Sequence, residues 1–137
     1  MIHDSGERQS ETTGALSDPS NSEVAFELLS PFSLTRLAQW LGLGAKKYAP
    51  RNWEKGIKYS VCVGKLLRHL FKWQLDYTDE DHLAAVGFWW HALVHYEEQI
   101  KTGLLPKELN DLPKYKQEII KDKRCVDCKT YEKNKEF

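Results

Sequence analysis

Apolar positions fall into three helix-spaced stretches in the middle of the chain, flanked on both sides by polar sequence without periodicity. The first stretch opens at Ser30-Pro31, a good N-cap residue followed by proline at the first helical position. It runs through Phe32, Leu34, Leu37, Ala38 and Leu41, and Gly42 or Gly44 is the expected stop. Residues 44–56 are too punctuated by glycine and proline for a long helix and predict one helical turn followed by a structured loop. A second helix is expected from Tyr59 or Ser60 to about Leu75, with Val63, Leu66, Leu67, Leu70 and Phe71 as its buried stripe. A short acidic connection over residues 76–81, with Thr78 or Asp79 as N-cap, leads to a third helix from about Glu80 to Ile100 that stops at Gly103. Its buried stripe is expected to be Leu83, Val86, Trp90, Leu93 and Val94.

Long amphipathic helices joined by short connections pack as antiparallel neighbours, so the expected fold is all-α, a small antiparallel helical bundle. No segment alternates for long enough to make a strand. The expected division is a flexible polar lead-in over residues 1–23, a helical domain over 24–115 and a Lys-rich tail over 116–137, with a short fourth helix near residues 114–121. Aromatic residues at 88, 89, 90 and 96 spread too widely round the third helix to bury against one neighbour, which predicts a homo-oligomer, a dimer or larger.

Composition narrows the function. The 20 basic residues balance the 20 acidic ones, so no net charge draws in nucleic acid or an anionic membrane. Direct nucleic-acid binding and membrane attachment are therefore not expected, whereas a local phosphate pocket needs only a few cations. No apolar run approaches the roughly 18 residues of a membrane span, and residues 1–18 lack the apolar core of an export signal, so a cytoplasmic location is expected. Three cysteines without such a signal do not make a disulfide framework. Cys125 and Cys128 form a single C-x-x-C, too few ligands for a structural zinc, and Cys62 reads as a small buried hydrophobe.

The chemistry-bearing residues gather around the second helix and the two segments beside it. Lys65, Arg68, His69, Lys72 and Asp76 recur every three or four residues and share a stripe; a solvated face is the plain alternative. Arg68 and Lys72 suit phosphate, and His69 and Asp76 suit a metal or a proton. In the run Asp79-Glu-Asp-His82, Asp79 and His82 share one face and Asp76 joins them across the turn, a site for a hard cation such as Mg²⁺ or Mn²⁺. The alternative is a capping cluster. His91 and His95 have zinc-like i, i+4 spacing but lack the glutamate of H-E-x-x-H. They lie on the opposite face from His82, so they are expected to be packing or interface residues and not part of one site with it. Lys47, Tyr48, Asn52 and Trp53 in the preceding loop offer a cation, stacking rings and an amide for a nucleotide.

Six segments in order carry a family resemblance: Thr13-Gly-Ala15 with Asp18, Leu29-Ser-Pro-Phe32, Gly44-Ala-Lys-Lys-Tyr48, Arg51-Asn-Trp-Glu-Lys-Gly56, Leu67-Arg-His-Leu70 and Asp79-Glu-Asp-His-Leu-Ala-Ala85. With Glu108-Leu-Asn-Asp-Leu-Pro113 after the third helix, they resemble the phage dATP/dGTP diphosphohydrolases, relatives of the MazG-like all-α nucleoside triphosphate pyrophosphohydrolases. The resemblance implies an oligomeric helical bundle that uses Mg²⁺ to cleave a purine (deoxy)nucleoside triphosphate to a monophosphate and pyrophosphate, in the host cytoplasm if phage-encoded. By position it implies nucleotide contacts at Lys47, Asn52 and Trp53, phosphate contacts at Arg68 and His69, and metal at Asp79 and His82. Water would be positioned by His69 or by a carboxylate, Asp76 or Asp79. Trp89 stands where the family tends to have Asn, and it joins the expected nucleotide site because it lies seven residues after His82. The second reading is a non-catalytic binder, a sponge that sequesters a purine nucleotide signal through Arg68, Lys72 and stacking on Trp53 or Trp89.

Overall fold

The computed structural model describes residues 9–10, 12–17 and 24–115. Three helices make the body: α1 (Pro31–Tyr48), α2 (Tyr59–Gln74) and α3 (His82–Lys101). Short 3-10 turns flank them at Phe26–Leu28, Asn52–Lys55 and Lys107–Leu109. The chain belongs to the all-α class, with one addition that the sequence pattern did not predict. Within the stretch read as an irregular lead-in, β1 (Gln9–Ser10) pairs antiparallel with β2 (Leu16–Ser17), Gln9 opposite Ser17 and Ser10 opposite Leu16. Two residues a side are too few for alternation to register as a pattern. The tail, most of the expected fourth helix, and Cys125 with Cys128 lie outside the described residues.

α2 and α3 are antiparallel neighbours. Tyr59 and Cys62 at the start of α2 share the core with Ala92 and Tyr96 late in α3, while His69 meets His82 at the other end. Leu37, Trp40 and Leu41 bring α1 onto the same core. Cys62 is fully buried, and burial pushes its thiol up to about 11, so it behaves as the small hydrophobe the sequence implied.

Two boundaries differ from expectation. α1 passes through both Gly42 and Gly44 and ends only at Tyr48, just before Ala49 and Pro50. A glycine inside a helix weakens it by only about 0.5–1 kcal/mol, which packing of Leu37, Trp40 and Leu41 outweighs. α3 begins at His82 and is capped by Asp81, whose carboxylate accepts the Ala84 N–H at 3.0 Å, not by Thr78 or Asp79.

The buried side of α3 is a correction as well. Ala84, Ala85, Phe88, Trp89, Ala92 and Tyr96 face inward; of the expected stripe Leu93 packs on the core and Val86 is partly buried, but Leu83, Trp90 (61% exposed) and Val94 are exposed. α3 is apolar on both faces, so periodicity alone picks the bulkier one, whereas the core takes the face whose alanines permit close approach. On α2, Leu66 packs on the core as expected, but Leu67 and Phe71 are exposed.

The segment after α3 folds back to secure the start of α2. Asp111 accepts hydrogen bonds from Ser60 N (2.9 Å) and Ser60 Oγ (2.6 Å), and these bonds hold its carboxyl below the usual range. Leu109 packs beside Gly56, where φ is +98° and an added Cβ would sit 2.6 Å from Leu109 Cδ1. Gly64, within α2, has nothing within 4 Å of such an atom. Gly64→Ala is therefore expected to raise stability by about 0.5–1 kcal/mol, and Gly56→Ala to lower it by more than about 1 kcal/mol. Urea midpoints of the two variants check this; a loss in Gly64→Ala would mean that this face of α2 is covered in solution.

Candidate functional site

The connection from α2 to α3 is a tight reversal. Leu75 ends the helix, and Asp76 turns the chain through a left-handed conformation with φ of +57°. The four residues Asp79, Glu80, Asp81 and His82 are thereby set against the end of α2, and each has a separate task. Asp81 caps α3 and forms a bidentate pair with Arg36 of α1 through Nε (2.8 Å) and Nη2 (2.5 Å). The Arg36 guanidinium holds the Asp81 carboxyl below its usual range. Asp79 accepts from His82 Nε2 at 2.9 Å and from Lys72 Nζ at 3.2 Å, and these two donors keep it ionised.

His82 is 2% exposed, and its other nitrogen, Nδ1, lies 3.1 Å from Nδ1 of His69. With Nε2–H donating to Asp79, the neutral ring of His82 has its lone pair on Nδ1, directed at its neighbours. Glu80 Oε1 lies 3.5 Å from His69 Nδ1 and 3.7 Å from His82 Nδ1. His69 packs edge-on to Trp40, and burial lowers its pKa, so it is neutral at pH 7. The result is a cluster of two imidazoles and one carboxylate able to hold a metal ion, the one such group among the described residues. Metal was expected at Asp76, Asp79 and His82. The structure joins His82 to His69 and Glu80 instead, places Asp79 on the far nitrogen of His82, and leaves Asp76 in the turn.

This cluster opens onto a cleft of about 1350 Å³ between α1, the 49–57 loop, α2 and α3. The α1 wall is made partly of Gly42, Gly44 and Ala45, and Trp40, Trp53, Phe88 and Trp89 contribute aromatic surface. Lys47, Lys65 and Arg68 line it too. Among the described residues none of these three has a carboxylate partner, whereas Arg36, Arg51 and Lys72 do. Lys47 lies over the Tyr48 ring and Lys65 over the Trp89 ring, which fixes their stems and leaves the charges uncompensated. Tyr48 and Asn52 also line the cleft; Lys72 and Asp76 do not.

Two of the aromatic residues are less open than stacking platforms need to be. Trp53 is ringed by Phe88, His91, His95 and Tyr96, and its carbonyl accepts from Tyr96 Oη at 2.5 Å. Trp89 is 7% exposed, yet its indole N–H is buried without a partner in a residue that lines the cleft. His91 and His95 do pack, as expected, but against Trp53 in the wall of the same cleft that His69 and Glu80 line. They take no part in the His69–Glu80–His82 cluster, as expected, although they share the long cleft with His69 and Glu80.

Sequence reasoning missed Glu80 as a potential ligand, the Arg36–Asp81 pair, and Trp40, Lys65, His91 and His95 as lining residues. The acidic run at residues 79–81 was a visible signal for Glu80; which carboxylate caps the helix and which faces the imidazoles depends on the turn at Asp76. Nothing local marked Arg36, whose partner is 45 residues away.

An all-α body with an uncompensated cationic cleft and a His–Glu–His cluster at one end is able to hold an anionic ligand beside a metal ion. Residues 13–104 match the family model of the dATP/dGTP diphosphohydrolase N-terminal domain, and the chain belongs to that family. Membership implies hydrolase activity on a nucleotide. No curated protein and no solved structure matches the chain. Among the described residues no helix is long and apolar enough to cross a membrane.

His69 and His91 both have pKa values lowered from 6.5 by burial. A histidine depressed in this way contributes stability that is complete above its unfolded value and is lost as pH falls through 6.5 towards the folded value. Chelator-treated protein should therefore show a falling urea midpoint between about pH 7.5 and 5.5, and His91→Gln should flatten that fall. A midpoint that holds or rises over this window would contradict the burial seen here.

Proposed function

We propose that the protein hydrolyses a purine (deoxy)nucleoside triphosphate to the monophosphate and pyrophosphate, with the metal site beside the phosphates. The observation that carries this reading is the gathering of Lys47, Lys65 and Arg68, without carboxylate partners, in the cleft that ends at His69 and Glu80. Three uncompensated cations suit a polyphosphate, and a guanidinium presents two donors to one phosphate oxygen pair. Asn52 and the aromatic walls suit a purine.

In this reading water attacks the α-phosphorus as the bond to the bridging oxygen breaks, and pyrophosphate leaves with that oxygen. A bound divalent ion supplies charge neutralisation and polarises phosphate oxygens. Arg68 and Lys65 stabilise charge that develops on the departing oxygens. Glu80 lies at the cleft end with Oε1 towards the two imidazoles, and its other oxygen orients the water and takes its proton. Asp79 is less suited to that task, because Lys72 and His82 hold its carboxyl below the usual range. Asp76 has no part in this reading. Both imidazoles fit Mn²⁺ at least as well as Mg²⁺.

The sponge reading keeps the same cleft without turnover, and it is favoured by the presence of only one carboxylate in the metal-ready cluster. Each dNTP and NTP incubated with Mg²⁺ or Mn²⁺ separates the two: monophosphate and pyrophosphate from dATP or dGTP are expected, and tight binding without product would replace the enzyme with the sponge. Arg68→Ala should weaken nucleotide affinity about 10- to 100-fold under either reading, from the roughly 1.5–3 kcal/mol of a charged hydrogen bond. An unchanged affinity by calorimetry would remove the cleft as the nucleotide site.

The same proposal includes self-association. Leu83, Trp90 and Val94 form an exposed apolar row on α3, and Phe71 adds to the exposed surface of α2. Light scattering should give a multiple of 16.0 kDa, and Trp90→Glu should return the protein to that single-chain mass. Wild type at 16.0 kDa at micromolar concentration would end this part of the proposal.

A further inference from the structure

The geometry points to a borderline transition-metal centre, ligated by His69 Nδ1, His82 Nδ1 and Glu80 Oε1, with Asp79 positioning His82 from outside the coordination sphere. This deepens the metal-dependent reading above without depending on which nucleotide is bound. The three donor atoms are separated by 3.1, 3.5 and 3.7 Å. A circle through points so spaced has a radius of about 2.0 Å, so one ion can stand at about 2.0–2.1 Å from all three, the distance typical of zinc–imidazole and zinc–carboxylate bonds. Calcium, which takes six to eight oxygen ligands, does not match a set in which two of three donors are imidazoles. Magnesium fits by distance and not by chemistry, since it selects oxygen donors and keeps its waters, while two of the three donors here are imidazoles.

The surroundings support this assignment. A metal-bound histidine donates its remaining N–H to a carboxylate or carbonyl, which fixes its tautomer and orientation. His82 does this at 2.9 Å to Asp79, and Lys72 holds the other Asp79 oxygen at 3.2 Å. A lone pair on His82 Nδ1 therefore stands ready inside a 2% exposed residue. Three protein ligands on one side leave the remaining positions towards the cleft for phosphate or water. The capping-cluster alternative explains Asp81 alone; it does not explain why the buried His82 and the partly buried His69, at hydrogen-bond distance, also share Glu80.

The test uses the full chain stripped with chelator and titrated with Co²⁺, read by visible absorption and calorimetry in the absence of nucleotide. One Co²⁺ per chain is expected, competed by Zn²⁺ and Mn²⁺ but not by a thousandfold excess of Mg²⁺. His69→Ala and Glu80→Gln should abolish or strongly weaken the signal while circular dichroism keeps the helical spectrum; should His82→Ala unfold, these two read the site without it. Asp79→Ala should weaken the metal about 10- to 100-fold, and Asp79→Asn, whose amide oxygen still accepts the His82 proton, should recover most of that loss. If His69→Ala binds Co²⁺ with an unchanged spectrum, or if Mg²⁺ displaces it readily, the assignment is wrong. If Asp79→Asn fails to rescue Asp79→Ala, the positioning role is wrong. Metal binding as expected with no nucleotide turnover would leave this centre standing and remove the hydrolase reading; turnover that ignores all four residues would remove this centre and the role of Glu80 while leaving the hydrolysis itself.

Discussion

Everything at the site depends on how near α2 and α3 are allowed to come. The inward face of α3 carries alanine at 84, 85 and 92, so little bulk keeps α2 away, and Cys62 is the small residue that answers on α2. Interiors pack at near-crystalline density, and a pair of helices held this close fixes the side chains between them within narrow limits. At one end that closeness buries Tyr59 and Tyr96. At the other it brings the partly buried His69 against the buried His82, and the acidic turn supplies the partner that makes a buried imidazole tolerable. The site is a by-product of the packing at its own end of the pair.

The acidic turn between the helices divides its charge economically. Asp81 faces α1 and closes the bundle through Arg36, Asp79 faces Lys72 and the back of His82, and Glu80 faces both imidazoles. Adjacent carboxylates would repel one another if they pointed the same way; here each has its own cation or ring. The left-handed residue at Asp76 starts the reversal that makes this possible.

Much of this was legible in the residues. Ser30-Pro31 marked the start of α1, the short 76–81 segment implied antiparallel packing, and the Arg68-His69 and Asp79-to-His82 motifs fall together at the candidate site. What remained hidden was orientation. α3 is apolar all round, so its inner face could not be found from periodicity, and the bulky Trp90 outweighed the alanines that actually pack. Which of four consecutive residues caps, pairs or ligates depends on backbone torsions at Asp76, and Arg36 finds Asp81 only once α1 has docked. The glycines of α1 misled for a related reason: a helix stop and a helix kept bare for a cavity look alike in one dimension.

That bare stretch has an evolutionary meaning. Along Gly42, Gly44 and Ala45 the cleft is walled by backbone with almost no side chain, and a Cβ added at either glycine meets nothing within 4 Å. Substitutions there grow into the empty space without disturbing the packed face of α1. A lineage can therefore narrow, roughen or recharge the binding volume one residue at a time while the fold and the imidazole pair stay as they are. The shape of the cleft is thus separable from the packing that holds the fold.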